Sequence, residues 1–322
     1  MKKFLSLLLA AGLLLTLTSA FAQDNGKVRV AGLIGPTGMS LAPMIAQNEG
    51  VYAFTLAAAP EQLVGEIVAG NVDIAAVPTN LAAVLYNRTK GAVQMLAVNT
   101  LGVLYVLEKG DTVHTAADLS GKTIVTAGQG AVPEYVLNYI LDKNGITDAT
   151  VEYKSEHNEV NSLAASGMAD LVMLPQPMAT ALLLKDAGFR VALDITEQFA
   201  LAAEKDGKPG TVLSMGALVV QASFAQRYPD KVAAFLEEYA LAVDFVNEEP
   251  AKAAVDIVAA GILPSEKVAE AAIPLCNIVF VVGEEMKTSI DPLMEILYEA
   301  DAKSVGGAVP DDAFYYIPAE AK

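Results

Sequence analysis

The sequence contains one ten-residue pattern twice, and this repeat limits the possible folds more than any other feature. Gly70–Thr79 reads GNVDIAAVPT and Gly167–Gln176 reads GMADLVMLPQ. Gly-x-x-Asp, four apolar residues, Pro and a polar residue thus recur 97 positions apart. Each copy lies between two helix-like segments. Upstream, VRVAGLIGPTG and KTIVTAGQGAVPEYVLNYIL are both apolar strands that enter a glycine-rich loop and then a helix. The sequence therefore predicts two similar α/β units in succession.

Apolar runs of four to six residues alternate with helix-like segments along these units. This alternation is typical of parallel strands that helices cover on both faces. The predicted fold class is α/β with two lobes, each a mostly parallel sheet flanked by helices. Ligands of such open sheets bind beyond the carboxyl ends of the strands. Four short loops occupy that position: Gly35–Ser40, Pro78–Asn80, Gly128–Val132 and Pro175–Pro177. If the two units face each other, these loops meet in one cleft.

The last third of the chain is rich in helix and has too little strand for a third sheet. We expect it to pack on the first lobe. The chain then crosses between the lobes twice, at hinges around Leu101–Leu107 and Met215–Val220. The predicted limits are residues 23–104 and 212–322 for the first lobe and residues 105–211 for the second.

The N-terminus has the features of an export signal. Residues 2–3 are lysines, residues 4–17 form an apolar run, and residues 20–22 read AFA, an A-x-A cleavage site. The run is shorter than the roughly 20 apolar residues that span a bilayer, which disfavours the alternative of a retained membrane helix. We expect residues 1–22 to be a cleaved signal peptide and the mature protein to be periplasmic or otherwise extracytoplasmic. No cysteine follows the apolar run, so no lipid anchor is expected.

Composition and missing motifs exclude several functions. The formal net charge is −17, so nucleic acid and anionic lipid would be repelled. Cys276 is the only cysteine, which excludes an internal disulfide and thiolate-based metal sites; we expect it to be buried. His114 and His157 have polar neighbours and are expected to be exposed. GPTGMS lacks the G-K-[ST] ending of a phosphate loop, and no G-x-S-x-G motif occurs. We therefore predict no catalytic residues, no cofactor and no metal site, and a protein that is not an enzyme.

Five segments occur in an order that resembles one protein family. They are GPTGMSLAPMIAQNEG, VAGNVDIAAVPTNLAAVLYN, GDTVHTAADLSGKTIVTAGQGAVPEYVLNYIL, MADLVMLPQPMATALL and RYPDKVAAFLEEYALAVDFVNEEPAKAA. The chain resembles solute-binding proteins of ABC transporters, and is similar within these to the nitrate/sulfonate/bicarbonate-type group. That group shares its type 2 periplasmic binding fold with thiamine-pyrimidine-synthase-like proteins. The resemblance covers about residues 30–320. It implies a monomer whose lobes close on a small molecule and present it to a membrane permease with its ATPase.

The resemblance also implies where the ligand binds. The expected contacts lie in the first strand-helix loop, the loop after the first Gly-x-x-Asp strand, the segment that enters the second lobe, and the start of that lobe's first helix. On this chain these residues are Pro36, Thr37, Gly38, Met39, Thr79, Asn80, Thr100, Leu101, Gln129, Gly130 and Ala131. Gln176 is a further candidate, at a position where relatives often carry an acidic or other polar residue.

Physical chemistry supports a binding role for these bare loops. Glycine lets main chain approach a ligand closely, and the N–H groups at a helix N-terminus favour an oxyanion. An isolated GPTG would be an ordinary strand-helix turn, but the duplicated architecture favours the ligand site. We expect Gly38→Val and Thr37→Ala to weaken binding and to leave the fold intact.

The ligand itself is less constrained by the sequence. None of the arginines, Arg29, Arg88, Arg190 and Arg227, lies in a predicted cleft loop, so a bidentate guanidinium clamp is not expected. Tryptophan is absent, and the nearest aromatic candidates are Tyr105 and Tyr135, which argues against a stacked heterocycle. The leading hypothesis is a small nitrate-like or sulfonate-like polar solute. Alternatives are a pyrimidine or other vitamin-precursor heterocycle, ligand sensing for a membrane receptor, and an exported enzyme with this fold.

Overall fold

The computed structural model describes residues 26–318, so the predicted signal peptide lies outside the described residues. The strands are β1 (Val28–Leu33), β2 (Tyr52–Ala57), β3 (Ile74–Val77), β4 (Val93–Leu101), β5 (Leu104–Lys109), β6 (Thr123–Ala127), β7 (Thr150–Lys154), β8 (Leu171–Pro175), β9 (Phe189–Asp194), β10 (Ser214–Gln221) and β11 (Ile278–Val281). The α-helices are α1 (Leu41–Ala46), α2 (Pro60–Val68), α3 (Thr79–Thr89), α4 (Val132–Lys143), α5 (His157–Ala165), α6 (Met178–Lys185), α7 (Ile195–Lys205), α8 (Ala222–Arg227), α9 (Pro229–Glu248), α10 (Pro250–Ala259), α11 (Glu266–Ala272) and α12 (Gly283–Ala300).

The strands form two sheets. The first has the order β11-β4-β10-β3-β1-β2, and the second has the order β7-β6-β8-β5-β9. We call each sheet, with the helices that pack against it, the first and the second lobe. The predicted α/β class and the two lobes are confirmed. The residue limits predicted for the lobes stay predictions.

The repeat corresponds to one structural unit in each lobe. Its four apolar residues form β3 in the first copy and most of β8 in the second, and all of them are buried. The repeated glycines, Gly70 and Gly167, have φ of +72° and +73° and end the preceding helices. A left-handed residue after a helix is favoured by glycine because it has no Cβ. The repeat is therefore the end of a helix followed by a strand that is buried on both faces.

Both sheets are mixed, whereas the sequence predicted mostly parallel ones. In the first sheet β1 pairs in parallel with β2 and β3, but β10 is antiparallel to β3 and β4. In the second sheet β6 pairs in parallel with β7 and β8, but β5 is antiparallel to β8 and β9. The reason is that β5 and β10 each enter their sheet from the other lobe. They start at the edge where the parallel strands end, and they therefore run in the opposite direction.

The chain crosses between the sheets at two places, and one of them differs from the prediction. The first crossing, residues 102–103, lies within the predicted hinge at Leu101–Leu107. The hinge predicted at Met215–Val220 is wrong, because these residues form β10 and pair with β3 and β4. The chain returns earlier, through residues 206–213 after α7.

The hydrophobic core is continuous across the lobe boundary. One cluster of buried residues contains Val98 of β4 and Leu104 of β5, and α4, α7 and α12 pack onto it. A second cluster lies between the other face of the first sheet and α9, α10 and α11. A third lies between the second sheet and α5 and α6. Cys276 is fully buried, as predicted, and burial raises the pKa of its thiol to about 12.

Candidate functional site

Both lobes place strand ends around residues 102–103, which we call the central crossing. The end of β8 lies beside it, because the amide of Gln176 donates to the carbonyl of Val103 at 2.8 Å. The end of β9 also lies beside it, because a Cβ built on Gly102 would lie 2.2 Å from Thr196 Oγ1. The carboxyl ends of strands from both sheets therefore meet at the crossing.

Asn99 of β4 holds the first-lobe loop that contains Pro36 and Thr37, and sequence reasoning missed this residue. Asn99 is only 1% exposed, and its Nδ2 donates to the carbonyl of Thr37 at 2.9 Å and to Tyr239 Oη at 3.0 Å. Its Oδ1 accepts from Thr100 Oγ1 at 3.1 Å. The available signal was an asparagine after the apolar run at residues 95–98 of the strand, since buried polar groups are almost always hydrogen-bonded.

The other predicted first-lobe residues are also engaged within that lobe. Thr79 Oγ1 and Ser214 Oγ are 2.6 Å apart and both residues are buried. Asn80 Nδ2 donates to the carbonyl of Ser304 at 3.2 Å. Leu101 is half-buried and packs against the main core cluster. Ser214, at the start of β10, is a second residue that the sequence did not indicate. We call these strand ends, with Asn99, Thr79, Asn80 and Ser214, the first-lobe edge. Its polar side chains are already hydrogen-bonded to one another or to main chain, so it forms a fixed platform.

Two first-loop predictions need correction. Met39 is fully buried in the core, so its side chain faces the interior and does not line a cleft. A Cβ on Gly38 would lie 2.0 Å from the carbonyl oxygen of Leu33. This oxygen belongs to the main chain and cannot move aside, so Gly38→Val would disturb the fold that the sequence expected it to preserve. Residue 38 must therefore be glycine, because its main chain lies so close to that of Leu33 that a Cβ does not fit.

The second-lobe loop at residues 129–131 is exposed and is joined to the first lobe. The amide of Gly130 donates to the Glu134 carboxylate, and Gly130 has φ of +72°. Tyr135 Oη lies 2.9 Å from the carbonyl of Gly130 and 3.1 Å from Asp301 Oδ2. Burial, followed by the hydrogen bond to Asp301, raises the pKa of Tyr135. Because Asp301 ends α12 of the first lobe, this hydrogen bond connects the lobes.

Gln176 is the most buried predicted residue of the second lobe, at 2% exposure. Its Oε1 accepts from Thr180 Oγ1 at 2.7 Å and from the Thr180 amide at 3.3 Å. Its Nε2 is buried and finds no hydrogen-bond partner among residues 26–318. Gln176, whose main-chain N–H bonds the central crossing, therefore carries an unused side-chain donor.

A segment of the first lobe also contacts the central crossing. Asn277 Nδ2 donates to the carbonyl of Gly102 at 2.6 Å, and Tyr105 Oη donates to the carbonyl of Leu275 at 2.8 Å. Burial raises the pKa of Tyr105, and the nearby Asp194 carboxylate raises it further. Tyr105 is thus held between the lobes through its hydroxyl group.

The charged and titratable residues lie mostly away from these edges. Arg29 pairs with Asp73, which lies just before β3 and braces the start of that strand. Arg190 pairs with Glu108 at 2.7 Å. His114 is exposed, as predicted. His157 is half-buried, contrary to prediction, because it begins α5 and its Nδ1 is covered; burial lowers its pKa.

Comparison with protein families identifies the chain. The model of a family described as NMT1/THI5 like matches residues 58–253, which is more than half of the sequence. The chain belongs to the NMT1/THI5-like family. This match and the fold confirm the family relationship that the sequence predicted. Among curated protein sequences, none matches this NMT1/THI5-like chain.

Several solved structures share the fold of this NMT1/THI5-like protein. An ABC transporter protein from Parabacteroides distasonis is 19% identical with a TM-score of 0.76, over 91% of this chain and 99% of that one. The periplasmic aliphatic sulphonate binding protein SsuA from Escherichia coli is 15% identical with a TM-score of 0.68, over 92% and 93%. The desulfurization enzyme DSZB is 12% identical with a TM-score of 0.61, over 90% and 97%. Because one of these proteins is an enzyme, the fold alone does not decide between binding and catalysis.

Within residues 26–318, no helix of the NMT1/THI5-like protein is both long and apolar enough to cross a membrane.

Proposed function

We propose that this protein is the extracytoplasmic solute-binding component of an ABC importer. In this proposal it captures a small polar or anionic solute between its lobes and delivers the solute to a permease. The main observation that supports the proposal is that strands of both lobes end in polar residues at the central crossing. The family and the similar structures, which include a sulphonate binding protein, support it.

Binding would use a fixed platform and a closing lobe. The first-lobe edge already has its side chains hydrogen-bonded, so it can meet a ligand without first becoming ordered. The second lobe would close over the ligand, and the Tyr135–Asp301 hydrogen bond, which is already formed, would help to hold the lobes together around it. The proposed contacts are Pro36, Thr37, Gly38, Thr79, Asn80, Thr100, Leu101, Gln129, Gly130, Ala131 and Gln176.

Thermal unfolding with a compound panel tests this proposal. The panel contains methanesulfonate, ethanesulfonate, nitrate and bicarbonate in one arm, and pyrimidines and amino acids in the other. A ligand that binds only the folded state at 100 times its Kd stabilises it by about 2.7 kcal/mol. We expect at least one anion to raise the Tm, with titration calorimetry showing one site. A rise with a heterocycle and none with any anion would instead support the vitamin-precursor alternative.

Catalysis is the second candidate, because DSZB shares the fold. The proposed contact residues offer hydroxyls and amides, whereas the half-buried His157 lies on α5. Incubating the protein with each stabilising sulfonate and measuring released sulfite decides between the candidates. A constant sulfite background supports binding alone, whereas release in proportion to protein supports an enzyme. Neighbouring genes for a permease and an ATPase would favour delivery over receptor sensing.

A further inference from the structure

The orientation of the Gln176 side-chain amide is fixed by chemistry. The Thr180 main-chain N–H can only donate, so the Gln176 atom 3.3 Å away must be an acceptor, which identifies it as the oxygen. The Thr180 hydroxyl bonds the same oxygen at 2.7 Å. The remaining amide atom is therefore the NH₂ group, and rotating the amide by half a turn would place two donors against each other.

This NH₂ group is buried without a partner in the described part of the chain. Leaving a buried donor unpaired costs about 1–3 kcal/mol, so such groups usually mark a missing acceptor. A second buried side-chain atom without a partner in the same region is Thr196 Oγ1, which lies against Gly102. The main-chain N–H of Gln176 donates to the carbonyl of Val103, the next residue of the central crossing. Two residues of the second lobe that each carry an unused polar side-chain atom thus adjoin the central crossing.

We propose that Gln176 Nε2 selects the ligand by donating to an acceptor atom of the solute at the central crossing. The inference rests on the proposed function and adds a chemical class to it. The solute presents an oxygen or nitrogen lone pair at this position, and a cationic or donor-only group is excluded there. Thr180 is a positioning residue, because it occupies the amide oxygen and leaves only the donor for the ligand.

The same geometry predicts the effect of a single-atom change. Glutamate has the shape of glutamine, and one of its oxygens can keep both bonds to Thr180. Its other oxygen would replace the donor by a negatively charged acceptor. An acceptor-bearing solute would then be repelled at the point where it is now attracted.

The test uses the full mature chain with Gln176→Glu, Gln176→Met and the control Gln226→Glu. Gln226 is exposed on α8, so its change adds the same charge far from the crossing. The probes are methanesulfonate, ethanesulfonate, nitrate and bicarbonate, with tetramethylammonium and putrescine as cationic probes that have no free acceptor when protonated. We expect the anion that stabilises the wild type to bind Gln176→Glu and Gln176→Met about 10- to 100-fold more weakly, and Gln226→Glu equally well.

The outcomes separate this inference from the proposed function. Unchanged affinity of Gln176→Met for the stabilising anion would overturn the inference and leave the proposed function intact. Stabilisation of the wild type by tetramethylammonium or putrescine alone would also overturn it. If no compound of the panel binds the wild type, the proposed function fails, and the inference fails with it.

Thr180 supplies an independent variant in case the Gln176 variants unfold. Thr180→Val removes the shorter bond to Oε1 and leaves Gln176 in place, and we expect anion binding to weaken about 3- to 10-fold. Thr180→Ser keeps the hydroxyl group and should restore the affinity. Equal affinities of Thr180→Val and the wild type would contradict the positioning role, and failure of Thr180→Ser to restore binding would assign the loss to packing.

Discussion

The two copies of the repeat end differently, although they share one sequence pattern. At the end of β3, Thr79 is bonded to Ser214 within the same lobe. At the end of β8, Gln176 occupies the corresponding position and keeps one donor unused. The first copy leads directly into α3, whereas in the second Pro177 separates Gln176 from α6. Duplication thus produced the same strand twice and two edges with different roles.

This difference indicates that residues at the two lobe edges should affect different properties of the protein. The first-lobe edge is closed by its own hydrogen bonds, so changes there should reduce folding stability first. The second-lobe edge carries the unused donor and the exposed loop at residues 129–131, so changes there should reduce ligand affinity first. The following predictions test this division, from the largest effect to the smallest.

Replacing Gly38 and Gly130 by valine should cost different amounts of folding stability. Gly38→Val places carbon against a main-chain oxygen, and we expect about 3 kcal/mol of lost stability. Gly130→Val meets no neighbouring atom and should lose about 1–2 kcal/mol through its positive φ alone. Urea unfolding measures both. Equal losses at the two positions would contradict the distinction between a packed and an open loop.

Removing the buried side-chain amides of Asn99 and Gln176 should cost different amounts of folding stability. Asn99→Ala removes three hydrogen bonds and leaves buried groups unpaired, so we expect about 2–3 kcal/mol of lost stability. Gln176→Met removes an unpaired donor while it frees Thr180, and these effects nearly cancel to within about 1 kcal/mol. Chemical unfolding without ligand checks both values. A larger loss for Gln176→Met than for Asn99→Ala would reverse the comparison.

The bond between Thr79 and Ser214 can be measured by a double-mutant cycle. Thr79→Val and Ser214→Ala each remove one partner, and the double variant removes both. We expect a coupling energy of about 1 kcal/mol in the unfolding free energy, because the two hydroxyls are buried and 2.6 Å apart. Additive effects would show that the pair does not close the first-lobe edge.

The smallest expected effect concerns the bond between the lobes. Tyr135→Phe removes the hydroxyl that reaches Asp301, and we expect about 0.5–1.5 kcal/mol of weaker ligand binding. Tyr139→Phe is the matched control on the same helix, because its hydroxyl bonds Asp206 at 3.1 Å instead of Asp301. Calorimetry with the stabilising anion compares them. Similar affinity losses in both variants would point to a general effect of α4.

The sequence predicted the parts of the fold that have a local physical signature. A run such as Ile74–Val77 is short, apolar at every position and flanked by Gly70 and Pro78, which is typical of a strand buried on both faces. Strand direction has no such signature. The apolar residues of β5 and β10 look like those of any buried strand, so their antiparallel pairing and the position of the second crossing were not predictable.

The candidate site was predicted by loop position but not by side-chain contact. The loops after β1, β3, β6 and β8 were found because glycine and proline mark them. Asn99 and Ser214 were missed, because a single polar residue in a strand acquires its partners only through tertiary contact. The burial of Met39 and the close contact at Gly38 likewise depend on how the loop packs against β1 and the core.

Hydrogen exchange with and without the stabilising anion tests the central claim most directly. The account predicts that the ligand slows exchange of the amides of residues 37–40 and also of residues 128–131 and Gln176, because both lobes contact it. Protection confined to one lobe, or found only at amides far from residues 102–103, would contradict a site between the lobes.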